Sequence, residues 1–240
     1  RSAPLAIAAG ELFRRGKIKL INSLDERSAG FHALGISTAS ANNVVVITTS
    51  GTAVANLLPS AVEADRSCIN ILYITADRPL RLKDCGANQT VNQEEFLLSA
   101  CNLFLNTNLN GLHQTSYSEI KNLISLISKE NLIKPGPIQL NIPFEKPLLI
   151  SNKDRKDVLE IFDKECLNKK IGFSSNKIKN KSCKALDKII KQISLDRTGL
   201  IIVGPYRGST NDLLEFNKSL EIIQKLTGWP VFADPVSGVN

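Results

Sequence analysis

Apolar and polar positions along this chain switch between two periods, and the switches mark its elements. Leu5, Ala8, Ala9, Leu12 and Phe13 recur at three- and four-residue spacing, which predicts a helix over 4–15. Ser2 stands where an N-cap belongs, and Pro4 falls in the first turn. IKLINSL (18–24) reads as a strand. RSAGFHALGISTAS (27–40) is rich in Ala and Gly and reads as a closely packed helix, with His32 inside it in a structural role. NVVVITT (43–49) is continuously apolar and β-branched, the pattern of a parallel strand covered on both faces. TAVANLLPSAVEA (52–64) predicts a helix, INILYIT (69–75) a second buried strand and CNLFLNT (101–107) a weaker one. Ile120, Leu123, Ile124 and Ile127 make one stripe of a helix over 116–130, and PIQLNIP (137–143) closes the set. Strand and helix alternate throughout, which predicts an α/β fold with a doubly wound parallel sheet.

Composition changes this picture only past residue 150. The chain has 240 residues, 42% of them apolar and 22% charged, an ordinary globular balance sufficient for one large domain or two small ones. Its net charge of +7 is concentrated: residues 152–191 hold 12 Lys/Arg against 6 Asp/Glu, and the rest is nearly neutral. That segment has only Phe162 and Phe173 among its cations, no regular aromatic interleaving on which bases would stack, so it reads as a solvated basic linker over 151–182 and not as a nucleic-acid surface. A helix over 183–194, a strand over 199–205, a helix over 211–227 and a strand over 229–235 then begin a second α/β unit. The sequence stops at VSGVN, where another helix is due, and contains no Met, so 183–240 reads as a partial second domain after a first domain over 1–150. Five Cys without a CxxC pair read as reduced thiols. No apolar run reaches the roughly 18 residues of a membrane span, and the first residues lack a signal-peptide pattern, so a cytoplasmic protein is expected.

In open α/β sheets, ligands bind beyond the carboxyl ends of the strands. Three polar clusters stand at such ends: SLDERSAG (23–30), TTSGTA (48–53) and ADRPLRLKDCGANQT (76–90). Each has an ordinary structural account, respectively a helix cap with ion pairs, a glycine turn and a proline turn. SGTA is not followed by GK[ST], and no GxGxxG occurs, so neither common phosphate loop is present. DCGANQ is the hardest to assign to a turn alone. It sets Asn88 and Gln89 beside a glycine, with Arg78 and Arg81 close by to meet carboxylates.

DERSAGFHALG, TSGTAVANLLPSAVEA, ITADRP and DCGANQT, in that order, resemble the thiamine diphosphate-dependent 2-succinyl-5-enolpyruvyl-6-hydroxy-3-cyclohexene-1-carboxylate synthases (MenD family) of menaquinone and phylloquinone biosynthesis. RSAPLA, GPIQLNIPFEKPL and GWPVFADPVSG resemble further stretches of that family, and only the linker matches poorly. The resemblance implies a pyrimidine-binding first domain over 1–150 and the beginning of a middle domain. It implies decarboxylation of 2-oxoglutarate and addition of the succinyl-semialdehyde carbanion to isochorismate. The cofactor would be thiamine diphosphate with Mg²⁺ or Mn²⁺, since an acyl carbanion needs an electron sink. By position, Glu26 would be the catalytic carboxylate that hydrogen-bonds the aminopyrimidine N1′ and favours its imino form. Ser50, Gly51 and Thr52 would lie at the cofactor pyrimidine, and Arg1, Arg78, Asn88 and Gln89 at the dianionic isochorismate.

The departures from the family pattern are equally specific. The Pro-Gly-Ser expected before Arg1 is absent, and so is the GDG…Asn motif that holds metal and diphosphate. No metal ligand is therefore assigned to this chain. The family's active site forms between subunits of a homo-oligomer, a dimer or tetramer, so the chain is expected to carry half a site and to be inactive alone. Two other readings compete. An acetohydroxy-acid synthase type of carboligase would share Glu26 but has no need of TADRP and DCGANQ. A non-catalytic α/β binding module would have no need to keep Glu26 and both arginines together.

Overall fold

The computed structural model describes residues 1–40, 43–151, 154–168, 191–193, 198–206 and 212–239. Two compact units divide the chain, residues 1–150 and 151–240. The first opens with helices α1 (Ala3–Arg14) and α2 (Glu26–Ala39). Strand β1 (Val44–Thr48) leads through the short helices α3 (Thr52–Ala55) and α4 (Leu58–Arg66) to β2 (Ile71–Asp77). Strand β3 (Leu103–Asn106), helix α5 (Tyr117–Ile133) and strand β4 (Pro137–Pro143) complete it. The four strands run parallel in the order β1-β2-β4-β3, with Thr48 beside Thr75 and Thr75 beside Asn141.

Each face of the sheet carries its own core. Ile71 and Tyr73 of β2 pack with Ala33 of α2 and with Leu57, Ala61 and Ala64 of the α4 region. On the other face, Ile138, Leu140 and Ile142 of β4 pack with Ile127 of α5, and Leu5 of α1 lies against them. Helices on both faces are what the continuous apolar strands require, and the doubly wound parallel fold stands. Fully burying a side chain such as Leu57 contributes about 2 kcal/mol.

Local chemistry sets the ends of these helices. Asp25 caps α2 by accepting the Ser28 N–H at 2.8 Å. Ser116 and Glu119 form a reciprocal capping box at α5. Ser2 occupies the N-cap position of α1 but makes no side-chain cap, contrary to the sequence reading. The single helix expected over 52–64 is divided at Asn56–Leu57. Pro59 falls in the first turn of α4 and has no N–H for the carbonyl of Ala55, so one continuous helix cannot pass through it.

The strand expected over 18–24 does not form. Ile18, Leu20, Ile21 and Leu24 are exposed, and no strand pairing among the described residues includes this segment. Apolar alternation alone does not make a strand, because the ladder needs a neighbour's carbonyls and amides. His32, expected inside a packed helix, lies on its exposed side.

In the second unit, α6 (Asp154–Asn168) occupies part of the basic segment. Parallel strands β5 (Ile201–Val203) and β6 (Val231–Ala233) are joined through α7 (Leu213–Thr227), which ends on left-handed Gly228. Most of the helix expected over 183–194 lies outside the described residues.

Helix α2 approaches α4 closely at Gly30. A Cβ there would stand 2.2 Å from Ser60 Oγ and 2.8 Å from Ser60 Cβ. Ser60 cannot swing away freely, because its hydroxyl bonds Leu57 O at 2.8 Å and Tyr73 Oη at 3.0 Å. Gly30→Ala is therefore expected to destabilise the first unit by about 2 kcal/mol through overpacking, read as a lower urea midpoint at unchanged m-value.

Candidate functional site

The loop after β2 carries most of the polar chemistry, and the sheet end beneath it explains its shape. Thr75, Asp77 and Asn141 are buried polar residues toward the carboxyl ends of β2 and β4, with Gln139 buried one step back along β4. Asn141 Nδ2 donates to Asp77 Oδ2 and to Asn106 Oδ1, both at 2.9 Å. Asn141 Oδ1 accepts from Thr75 Oγ1 and from Gln93 Nε2, both at 2.8 Å. Asp77 Oδ1 in turn accepts the Arg78 backbone N–H at 2.7 Å, which sets the direction in which Arg78 leaves the sheet.

Lys83 closes this loop. Its ammonium lies 2.9 Å from Asp77 Oδ2 and also bonds Glu94, with only 13% of its side chain exposed. Burial opposes the Lys83 charge most strongly, but the hydrogen bonds and charges of Glu94 and Asp77 outweigh it and raise its pKa.

Within the loop, Asp84, Gly86 and Gln89 all take left-handed backbone conformations. Gln89 pairs with the turn after β1: its Nε2 donates to Ser50 O at 2.9 Å. Arg78 Nη1 donates to Gln89 O at 2.7 Å and also to Ser50 Oγ. Gly51 has φ 87 and ψ −140, and a Cβ there would lie 2.9 Å from Gln89 Cγ. Only glycine permits both that backbone and that approach.

These contacts sort the residues picked out from the sequence. Arg1, Arg78 and Asn88 line one cavity of about 490 Å³, together with Arg81, Glu145 and Lys146. Arg1 reaches it by donating from Nη1 to Phe144 O at 2.9 Å. Gln89 is exposed, while its side-chain amide is engaged with Ser50 and its carbonyl with Arg78. Ser50 and Gly51 are buried, and of the turn 50–52 only Thr52 is exposed. Glu26 is half-buried in the first turn of α2 and is not among the residues lining this cavity. Its carboxylate has no hydrogen-bond or ion-pair partner among the described residues.

The cavity is electropositive. Arg81 is paired with Glu145 at 2.7 Å, but among the described residues no carboxylate pairs with the side chain of Arg1 or Arg78. Burial, and then the neighbouring charge of Arg1, hold the Arg78 pKa below its ordinary value, while Asp77 acts in the opposite sense. Two guanidinium groups converging without a counter-ion make a ready site for a dianion. Sequence reasoning did not find Lys83, Gln93, Asn141, Glu145 or Lys146. The one available signal was the Gln-Leu-Asn alternation at 139–141, polar residues at every second place of a buried strand.

The parallel doubly wound first unit is that of a thiamine enzyme's N-terminal domain: residues 6–96 match the family model described as thiamine pyrophosphate enzyme, N-terminal TPP binding domain. Over its whole length the chain is 63% identical to the 2-succinyl-5-enolpyruvyl-6-hydroxy-3-cyclohexene-1-carboxylate synthase of Prochlorococcus marinus strain MIT 9215 and 59% to that of strain MIT 9515. The synthase of strain NATL2A is 48% identical over the same extent. The chain belongs to this synthase family. It spans about 40% of the length of these curated relatives.

Removing the Lys83 charge leaves Asp77 and Glu94 facing each other, so Lys83→Met is expected to cost about 3 kcal/mol in a denaturation curve at pH 7. The raised pKa means that this contribution is complete below the ordinary lysine pKa and is lost only as pH climbs past it. The difference between wild type and Lys83→Met should therefore hold from pH 6 to 9 and shrink only in alkali above about 10.4.

Proposed function

We propose that this chain forms the pyrimidine-side half of the active site in a thiamine diphosphate-dependent transferase that joins 2-oxoglutarate to isochorismate. The observation that carries the proposal is the pair of guanidinium groups, Arg1 and Arg78, facing one cavity without a carboxylate partner. Isochorismate is a dianion, and its carboxylates meet those groups, with the Asn88 amide beside them. Gln89 acts on this reading through its backbone and side chain, by fixing Arg78 and the turn at Ser50.

Glu26 fits the pyrimidine of the cofactor, because its half-buried carboxylate has no internal partner and is open to a ligand's donor. Thiamine diphosphate supplies the electron sink for loss of CO₂ from the 2-oxo acid. Glu26 would hold the pyrimidine N1′ by a hydrogen bond. Thr52 offers the exposed edge of the turn 50–52, which Ser50 and Gly51 hold from beneath. Among the described residues no three His, Cys, Asp or Glu side chains gather as a metal site requires. The divalent ion that accompanies the cofactor would be Mg²⁺ or Mn²⁺. Residues 1–150 act as the pyrimidine domain, 151–182 as a linker and 183–240 as part of a middle domain. The complementary half of the site comes from another copy in a homo-oligomer. No described helix is long and apolar enough to cross a membrane; the cytoplasm is the location assigned to the enzyme.

In the full-length synthase, Arg78→Ala is expected to raise the isochorismate KM about 10- to 100-fold and to leave the 2-oxoglutarate KM unchanged. Glu26→Gln should lower kcat about 100-fold or more, with both KM values retained. An unchanged isochorismate KM in the arginine variant would remove the dianion assignment. The 240-residue chain by itself, supplied with cofactor, Mg²⁺ and both substrates, should form no product in a direct assay.

A further inference from the structure

Gln93 belongs to none of the functions assigned above, yet it is fully buried where they meet. Its Oε1 accepts the Gly51 backbone N–H at 2.9 Å. Its Nε2 donates to Ala76 O at 3.1 Å and to Asn141 Oδ1 at 2.8 Å. The backbone partners fix the amide's orientation, since Gly51 can only donate and Ala76 O can only accept. Asn141 cannot turn to compensate, because its own Nδ2 is held by Asp77 and Asn106. One side chain thus joins the turn after β1, the end of β2 and the end of β4.

Gly51 depends on this contact. Its conformation, φ 87 and ψ −140, lies in a region that only glycine occupies readily, and Gln93 takes up its N–H. The same turn is tied to the anion loop on its other side, through Gln89 Nε2 to Ser50 O and through Arg78 Nη1 to Ser50 Oγ. A shift of Gly51 therefore moves Ser50, and with it the groups that orient Arg78.

We propose that Gln93 is a positioning residue that sets the cofactor-side turn 50–52 and the acceptor-binding Arg78 as one unit, so that affinity for the cofactor and affinity for the acceptor rise and fall together. The proposal rests on the reading of these two groups as the cofactor and isochorismate sides.

The test uses Gln93→Leu, which removes all three bonds at similar volume, and Gln93→Glu, which keeps the acceptor for Gly51, both in the full-length synthase. For Gln93→Leu, the thiamine diphosphate Kd from calorimetry on cofactor-free enzyme and the isochorismate KM should each rise about tenfold, the effect of one or two lost buried hydrogen bonds. The 2-oxoglutarate KM should stay within about twofold by the same reasoning, because Gln93 touches nothing assigned to that substrate. Amide exchange of the 48–56 segment should quicken in the cofactor-free enzyme. Gln93→Glu should lie between wild type and the leucine variant, and it decides the matter if the leucine variant does not fold. A folded variant with Kd, isochorismate KM and exchange all unchanged overturns the proposal. So does one in which all three constants drift equally, which is general loosening. Arg78→Ala serves as the separate check. If it leaves the isochorismate KM alone, the substrate reading has failed, while cofactor Kd and exchange still judge Gln93.

Discussion

The side-chain amide of Asn141 is the constraint on which the rest of the first unit depends. It lies fully buried in the sheet and must satisfy both ends of its amide without water. It does so with Thr75, Gln93, Asp77 and Asn106, residues from β2, β3 and the loop before β3. Such a network fixes geometry more than it adds stability, because each bond replaces one that water would have supplied. Its consequence is that the carboxyl ends of three parallel strands are locked together before any loop begins. Gln139 shows what incomplete satisfaction looks like beside it: Nε2 donates to Thr75, while its buried Oε1 has no partner among the described residues.

The loop that follows inherits this rigidity. Asp77 is held by Asn141 and Lys83, and it fixes the first backbone N–H beyond the strand, that of Arg78. Arg78 therefore begins from a defined point. Its guanidinium is bonded to neutral oxygens of Ser50 and Gln89, so its charge is oriented without being neutralised. Arg1 brings a second unneutralised charge to the same cavity, anchored on the carbonyl of Phe144 just after β4. Holding two like charges together is unfavourable in isolation. Among the described residues neither guanidinium has a carboxylate partner within the cavity to offset that cost.

Steric limits do for the turn after β1 what charge does for the cavity. Gly51 admits Gln89 at a distance no side chain would allow, and Gly30 admits Ser60 in the same way on the helical face. The first brings the two loops into contact; the second brings α2 against α4 and so positions the helix whose first turn carries Glu26.

The sequence by itself determined the class of fold, because continuous apolar strands separated by amphipathic helices can be covered only as a parallel sheet with helices on both faces. It also determined the helix starts at Asp25 and Ser116, whose capping partners are three residues away. It placed the clusters of Ser50 and Arg78 at strand ends, whereas the strand it put before Glu26 does not form, and through DERSAG and DCGANQT it pointed to the family. What it did not determine was partnership. The segment 18–24 has strand composition and no neighbouring strand, and a ladder is a property of two chains of atoms. Gln93 reads as one polar residue in a polar stretch, yet its bonds go to Gly51 and Asn141, 42 and 48 residues away. Periodicity reports which face of an element is apolar. Only the tertiary structure decides which buried amide, which carbonyl and which charge come to share the same few ångströms.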